Sequence, residues 1–190
     1  MDVTQAILER RSVRQYDDKA ISDDIINELL EAAVWAPSGT NMQPWYFVAV
    51  RSSERLNELL AIMQGVSTNF APTLSERFPN HPQVVRDTLS FIENLGGAPV
   101  VVLAFLLQDY PVETRFQCEQ SVAAAIQNML LSAHAKGLKS CWLTAPKLSA
   151  PQIEAAFGKD KGPFMGMVTI GYGEQPARSP KRRDDRFEIV

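Results

Sequence analysis

The chain has 190 residues, with 19 Lys plus Arg against 22 Asp plus Glu and a net charge of -3. Hydrophobic residues make up 45% and charged residues 22%, a soluble globular balance that excludes disordered and fibrous classes. The acidic balance argues against a nucleic-acid binder that works by overall positive charge, and two cysteines, Cys118 and Cys141, make neither a disulfide framework nor a zinc site. The length suits one domain over residues 1–190, burying roughly 70% of its unfolded surface. The longest apolar run, residues 98–107, is ten residues long and contains Pro99. A membrane span needs about 20 such residues, so the run reads as a buried strand. The first ten residues lack the basic start and apolar centre of an export signal, which makes the cytoplasm the expected compartment.

In chain order, residues 2–11 predict a short helix with Val3, Ala6 and Ile7 on one side. Residues 22–35 predict a stronger one: Ser22 caps it, Asp23 and Asp24 favour its positive end, Ile25, Leu29 and Ala33 line a face, and Pro37 stops it. Residues 45–50 are β-rich and residues 52–64 helical, while Pro72, Pro79 and Pro82 make residues 65–82 a loop, with a helix to residue 95 after it. Beyond the strand at 98–107, residues 113–136 form a long helix. Val122, Ile126, Met129 or Leu130, and Ala133 recur along it at spacings of three and four, and Gly137 ends it. Residues 140–144 and 164–172 read as two more strands. Helices interspersed with three to five strands indicate α/β or α+β, with a helix-covered sheet.

Positive charge is placed unevenly. Arg10, Arg11 and Arg14 cluster near the start, and Arg178, Lys181, Arg182, Arg183 and Arg186 near the end; these eight are nearly half of the 19 basic residues. If the termini meet in space they form one anion site, since the planar fork of arginine suits phosphate. If not, they are two solvated faces, the second neutralised by Asp184 and Asp185. The stretch 37–45 is the second feature. Ser38, Asn41 and Gln43 offer donors and acceptors around Gly39, and Trp45 opens the next strand. Such a loop can read a heteroaromatic ligand, or be an ordinary turn. Gly171 and Gly173 follow a strand without the third glycine and helix of a Rossmann loop, and no P-loop, serine-hydrolase elbow or zinc-protease helix occurs. His81 and His134 stand alone, and Cys141 beside Trp142 reads as core. With no acid–base pair or nucleophile dyad, reactivity would have to come from a cofactor.

Arg10-Arg-Ser-Val-Arg14 after an amino-terminal helix, followed by Pro37-Ser-Gly-Thr-Asn-Met-Gln-Pro-Trp45, resembles the nitroreductase family of flavin enzymes. Gln127–Leu131, Gly137–Trp142 and Gly171–Pro176 are similar too, so the resemblance runs from about residue 4 to 186, weakest over residues 52–97. It implies an α+β fold, a three-layer sandwich whose mostly antiparallel sheet is flanked by helices. It also implies an intertwined homodimer with FMN in two interface sites. By match, Arg10, Arg11, Ser12 and Arg14 would hold FMN, the arginines at its phosphate and Arg14 at the pyrimidine edge. Pro37, Ser38, Asn41 and Gln43 would come from the other subunit. Lys181 and Arg183 would close on the phosphate, with Arg182 the alternative if the register slips by one. A backbone N–H near Leu143 and Thr144 would point at flavin N5. The family commonly has glycines after this strand, whereas this chain reads Thr144-Ala-Pro146, which leaves Thr144 or Ala145 as the donor and alters the substrate pocket's floor.

The resemblance thus implies an FMN-dependent oxidoreductase with no catalytic side chain of its own. It would pass electrons from NADH or NADPH to a small acceptor, a nitroaromatic or a quinone, in ping-pong order, with no membrane or nucleic-acid partner. Two other readings stay open: a flavin-binding or storage protein with little turnover, and a specialised reductase of the same superfamily. A dehalogenase is disfavoured, because no tyrosine occurs between Phe47 and Asp109.

Overall fold

The computed structural model describes residues 1–174 and 181–190, and its centre is the apolar run predicted as a buried strand. This strand, β2 (Val100–Leu106), is buried at every position. It pairs antiparallel with β1 (Trp45–Val50) on one side and β4 (Phe164–Gly171) on the other, and β3 (Lys139–Leu143) lies outside β4. The order is β1-β2-β4-β3, antiparallel throughout.

Alternation sends successive side chains of β2 to opposite faces, and each face meets helices. Val100, Val102, Ala104 and Leu106 pack with Val168 and Ile170 against α2 (Asp23–Val34) and α5 (Val112–Ala135). Val101, Leu103 and Phe105 pack with Met167 against α3 (Ser53–Arg77), α4 (Pro82–Asn94) and α6 (Ala150–Phe157). The result is the three-layer α+β sandwich. The predicted strands and α2 and α5 differ from the observed ones by at most two residues at an end. No helix among the described residues is long and apolar enough to cross a membrane.

One expectation needs correction. The loop expected over residues 65–82 is mostly helix, because α3 continues through Pro72 to Arg77. Leu59, Met63, Val66, Phe70 and Leu74 recur at spacings of three and four and pack inward. That continuous stripe outweighs the roughly 3 kcal/mol a proline costs inside a helix. Pro82 occupies the first turn of α4, where its missing N–H costs nothing. On α1 (Val3–Glu9), capped by Asp2, only Ala6 is buried, while Val3, Ile7 and Leu8 stay exposed.

After α1 the chain runs along the free edge of β3. Ser12 bridges Ser140 in parallel, the Val13 N–H donates to the Ser140 carbonyl at 3.1 Å, and the Tyr16 N–H donates to the Gly96 carbonyl at 3.0 Å. Gly96, at φ 67, makes this approach possible, since a Cβ there would lie 2.3 Å from the Arg14 carbonyl oxygen. Gly96→Ala is therefore expected to cost more than about 1 kcal/mol. Gly65→Ala, whose Cβ meets open space within α3, should stabilise by about 0.5–1 kcal/mol. Urea midpoints of the two variants, moving in opposite directions, check both expectations.

Candidate functional site

The segment from Arg10 to Arg14 is held where α1 ends, against β3. Arg11 is anchored: its Nη1 donates to the carbonyls of Leu8 and Arg10, each at 2.7 Å. Burial lowers the pKa of Arg10, and the positive fields of Arg11 and Arg182 lower it further, against an opposing influence of Cys141. Arginine stays charged even so, so this group of cations favours an anion beside it. The Ser12 side chain hydrogen-bonds the Cys141 thiol, whose pKa is raised chiefly by burial. Cys141 is thus a core thiol, as its sequence context predicts. Arg14 is exposed and has no hydrogen-bond or ion-pair partner among the described residues; its guanidinium lies 5.7 Å from the centroid of the Phe91 ring.

Arg14 leads into a cleft of about 550 Å³ whose wall includes Cys141, Trp142, Leu143, Thr144 and Ala145. Trp142 lies across β4 at Gly166, where a Cβ would come within 2.9 Å of the indole nitrogen and of the Leu143 carbonyl oxygen. A wider cleft of about 1250 Å³ adjoins along α3 and α4 and shares Arg14, Phe70, Arg77, Thr88 and Phe91. Arg10, Ser12, Arg14, Leu143 and Thr144 are therefore gathered at the β3 edge of the sheet.

The loop with Pro37, Ser38, Asn41 and Gln43 is elsewhere. It precedes β1, the opposite edge strand, three interstrand spacings or roughly 14 Å from β3. Ser38 Oγ accepts from the Gln43 N–H at 3.0 Å, and Gln43 Nε2 donates to Asn41 Oδ1 at 3.2 Å. Thr40, Asn41 and Gln43 all have left-handed φ, 50°, 56° and 47°, a costly cluster outside glycine. Neither of the two clefts that Arg14 lines includes a residue of this loop. In the tail, Lys181 and Arg183 line a pocket with Arg182, Asp184 and Asp185, and Arg182 is the cation whose field reaches Arg10. Arg178, Gln175 and Pro176 lie outside the described residues.

The sequence reading left Phe70, Arg77, Phe91, Trp142 and Lys147 without a place in the site, yet all five line the cleft. Phe70, Leu74 and Arg77 follow one another at helical spacing, a signal obscured by treating that stretch as a loop. His134 is buried, its Nε2 has no hydrogen-bond partner among the described residues, and its pKa is lowered chiefly by burial.

The "Nitroreductase family" model matches residues 7–172. A protein of Methanothermobacter thermautotrophicus, provisionally named NADH dehydrogenase/NAD(P)H nitroreductase, is 29% identical over 97% of this chain and 82% of its own. A provisionally named nitroreductase from Desulfovibrio desulfuricans, solved in complex with FMN, is 30% identical with a TM-score of 0.76, covering 100% of this chain and 98% of its own. A BluB-like flavoprotein of Clostridium difficile 630 superposes at a TM-score of 0.79 with 26% identity, covering 100% and 99% of the two chains. With nearly the whole chain matched in sequence and in fold, this protein belongs to the nitroreductase family.

Proposed function

We propose that the protein is a homodimeric, FMN-dependent oxidoreductase that oxidises NADH or NADPH and reduces a nitroaromatic or a quinone. The observation that carries the reading is the free Arg14 guanidinium at the mouth of an apolar-walled cleft ending at Leu143 and Thr144. That donor set fits FMN: arginines and Ser12 for phosphate and pyrimidine oxygens, flat apolar walls for the ring. The FMN-bound relative from Desulfovibrio desulfuricans supports it.

When bound, FMN supplies the two-electron chemistry, taking a hydride and passing it on. The chain's residues position and polarise. Arg10 and Arg11, with Lys181 and Arg183 from the tail, hold the phosphate; Arg14 stabilises negative charge at the pyrimidine edge. Pro146 has no N–H, so the backbone donor toward N5 is that of Thr144 or Ala145. The loop of Pro37, Ser38, Asn41 and Gln43 reaches the site from a second copy, because its own chain places it at the far edge of the sheet. A second copy would also cover exposed apolar side chains, among them Val3, Ile7, Leu8, Trp35, Val112 and Phe116. NAD(P)H and the acceptor use the same cleft in turn, hence ping-pong order. One NAD(P)H, one proton and one quinone give NAD(P)⁺ and one quinol.

The second reading, a flavin-holding protein with little turnover, draws on the Thr144–Pro146 corner, and steady-state NAD(P)H oxidation with a quinone separates the two. Arg14→Ala should weaken FMN retention roughly 10- to 100-fold, the loss of a charge-assisted hydrogen bond. Arg51→Ala, whose guanidinium pairs with Asp23 away from the cleft, should retain it. Released-flavin fluorescence measures both, and equal retention would overturn the assignment. Mixing unfolded Arg14→Ala and Asn41→Ala chains and refolding them together should restore FMN sites that neither variant forms alone, because one heterodimer site is then wild type. No gain over the separate variants would place the loop outside the site.

A further inference from the structure

Two cations in the cleft lie outside the set proposed to hold FMN. Arg77 ends α3, and Lys147 lies in the 3₁₀ turn Ala145–Ser149 directly after β3. Both line the 550 Å³ cleft beside Trp142 and Thr144. Both are exposed, and neither side chain has a hydrogen bond or an ion pair among the described residues. By contrast Arg51, Arg55, Arg115 and Lys136 are each paired with a carboxylate. No Asp or Glu lines this cleft; the wider one alongside, whose wall also includes Arg14 and Arg77, has Asp87 and Glu174. In a chain of net charge -3, an acid-free cavity with Arg14, Arg77 and Lys147 on its walls runs against the overall sign. Cations of one sign around a cleft, unpaired among the described residues, make its potential positive. The rings of Phe70, Phe91 and Trp142 supply flat apolar surface between them.

We propose that Arg77 and Lys147 select an electron acceptor that is a one- or two-ring aromatic carrying an anionic substituent, such as a carboxylate. The proposal rests on the oxidoreductase reading above. An aromatic ring suits the rings of Phe70, Phe91 and Trp142, and a carboxylate suits the guanidinium and ammonium groups beside them. The same fork-and-ammonium chemistry would suit the 2′-phosphate of NADPH, and the test separates that source.

Wild type, the Arg77→Gln/Lys147→Gln double variant and a control, Lys159→Gln in the exposed turn after α6, are compared as FMN-loaded enzymes. The ratio of kcat/KM for 4-nitrobenzoate to that for 4-nitrobenzamide should fall about tenfold in the double variant and stay constant in the control. The fall should lie in KM rather than kcat, and be equal with NADH and NADPH as donor. Calorimetry provides a readout free of turnover. Benzoate should bind the wild-type holoenzyme more tightly than benzamide does, and the double variant should lose that difference. A loss confined to NADPH-driven turnover would assign the cations to the dinucleotide and overturn the proposal. Loss of FMN from the double variant would assign them to the cofactor and overturn it equally. Equal binding of benzoate and benzamide by wild type overturns it whether or not the enzyme turns over. A protein that takes up no FMN fails the oxidoreductase reading instead, and its benzoate titration still reads the charge preference of the cleft.

Discussion

The Tyr16 hydroxyl fastens the basic amino-terminal segment to the sheet. Buried, it donates to one of the oxygens around it: the Val13 carbonyl at 2.7 Å, Thr169 Oγ1 at 2.7 Å or the Thr169 carbonyl at 3.2 Å. Burial raises its pKa above the ordinary phenol value, so the group stays neutral and able to donate. Thr169 in turn donates to the Cys141 carbonyl at 3.3 Å, which ties the segment, β4 and β3 into one small network. Below that network Gly96 receives the Arg14 backbone at a distance no side chain permits. Arg10, Ser12 and Arg14 owe their places beside the cleft to these contacts. The network is buried, so each unmet partner would carry the full desolvation penalty, and the geometry is accordingly narrow.

How much of this was legible in the sequence depended on whether local pattern and tertiary context agreed. The run at 98–107 and the periodic helix ending at Gly137 had one interpretation each, and both formed. At Pro72 the two disagreed. A proline at that point argues for a loop, yet the stripe from Leu59 to Leu74 continues across it, and packing decided the outcome. That misreading hid Phe70 and Arg77, because only on a helix do residues seven apart share a face. Trp142 was read next to a core cysteine, although alternation puts Cys141 and Trp142 on opposite faces, one buried and one exposed. The edge position of the 37–43 loop was not legible, since strand order in a sheet is set by long-range pairing rather than by neighbouring residues.

Charge placement sets the cleft apart from the rest of the surface. Arg14, Arg77 and Lys147 line it without a carboxylate on its wall, whereas Arg51 and Arg115 each pair with an acid. All three side chains are exposed, so water screens their mutual repulsion and the empty cleft is tolerated. An anion that displaces that water would meet three positive charges at once.

The same reasoning applies at the other edge of the sheet. Thr40, Asn41 and Gln43 hold left-handed conformations, a cost of the order of 1 kcal/mol or more each for residues other than glycine. The two side-chain hydrogen bonds within the loop are exposed and return little of that. Within one chain the loop presents Asn41 and Gln43 to solvent. In the proposed dimer, the strained, exposed loop on one edge of the sheet would complete the cleft at the other edge of the second copy. A two-fold arrangement would give each loop a partner that the single chain lacks. The strain and the exposure of the loop would then have one common cause.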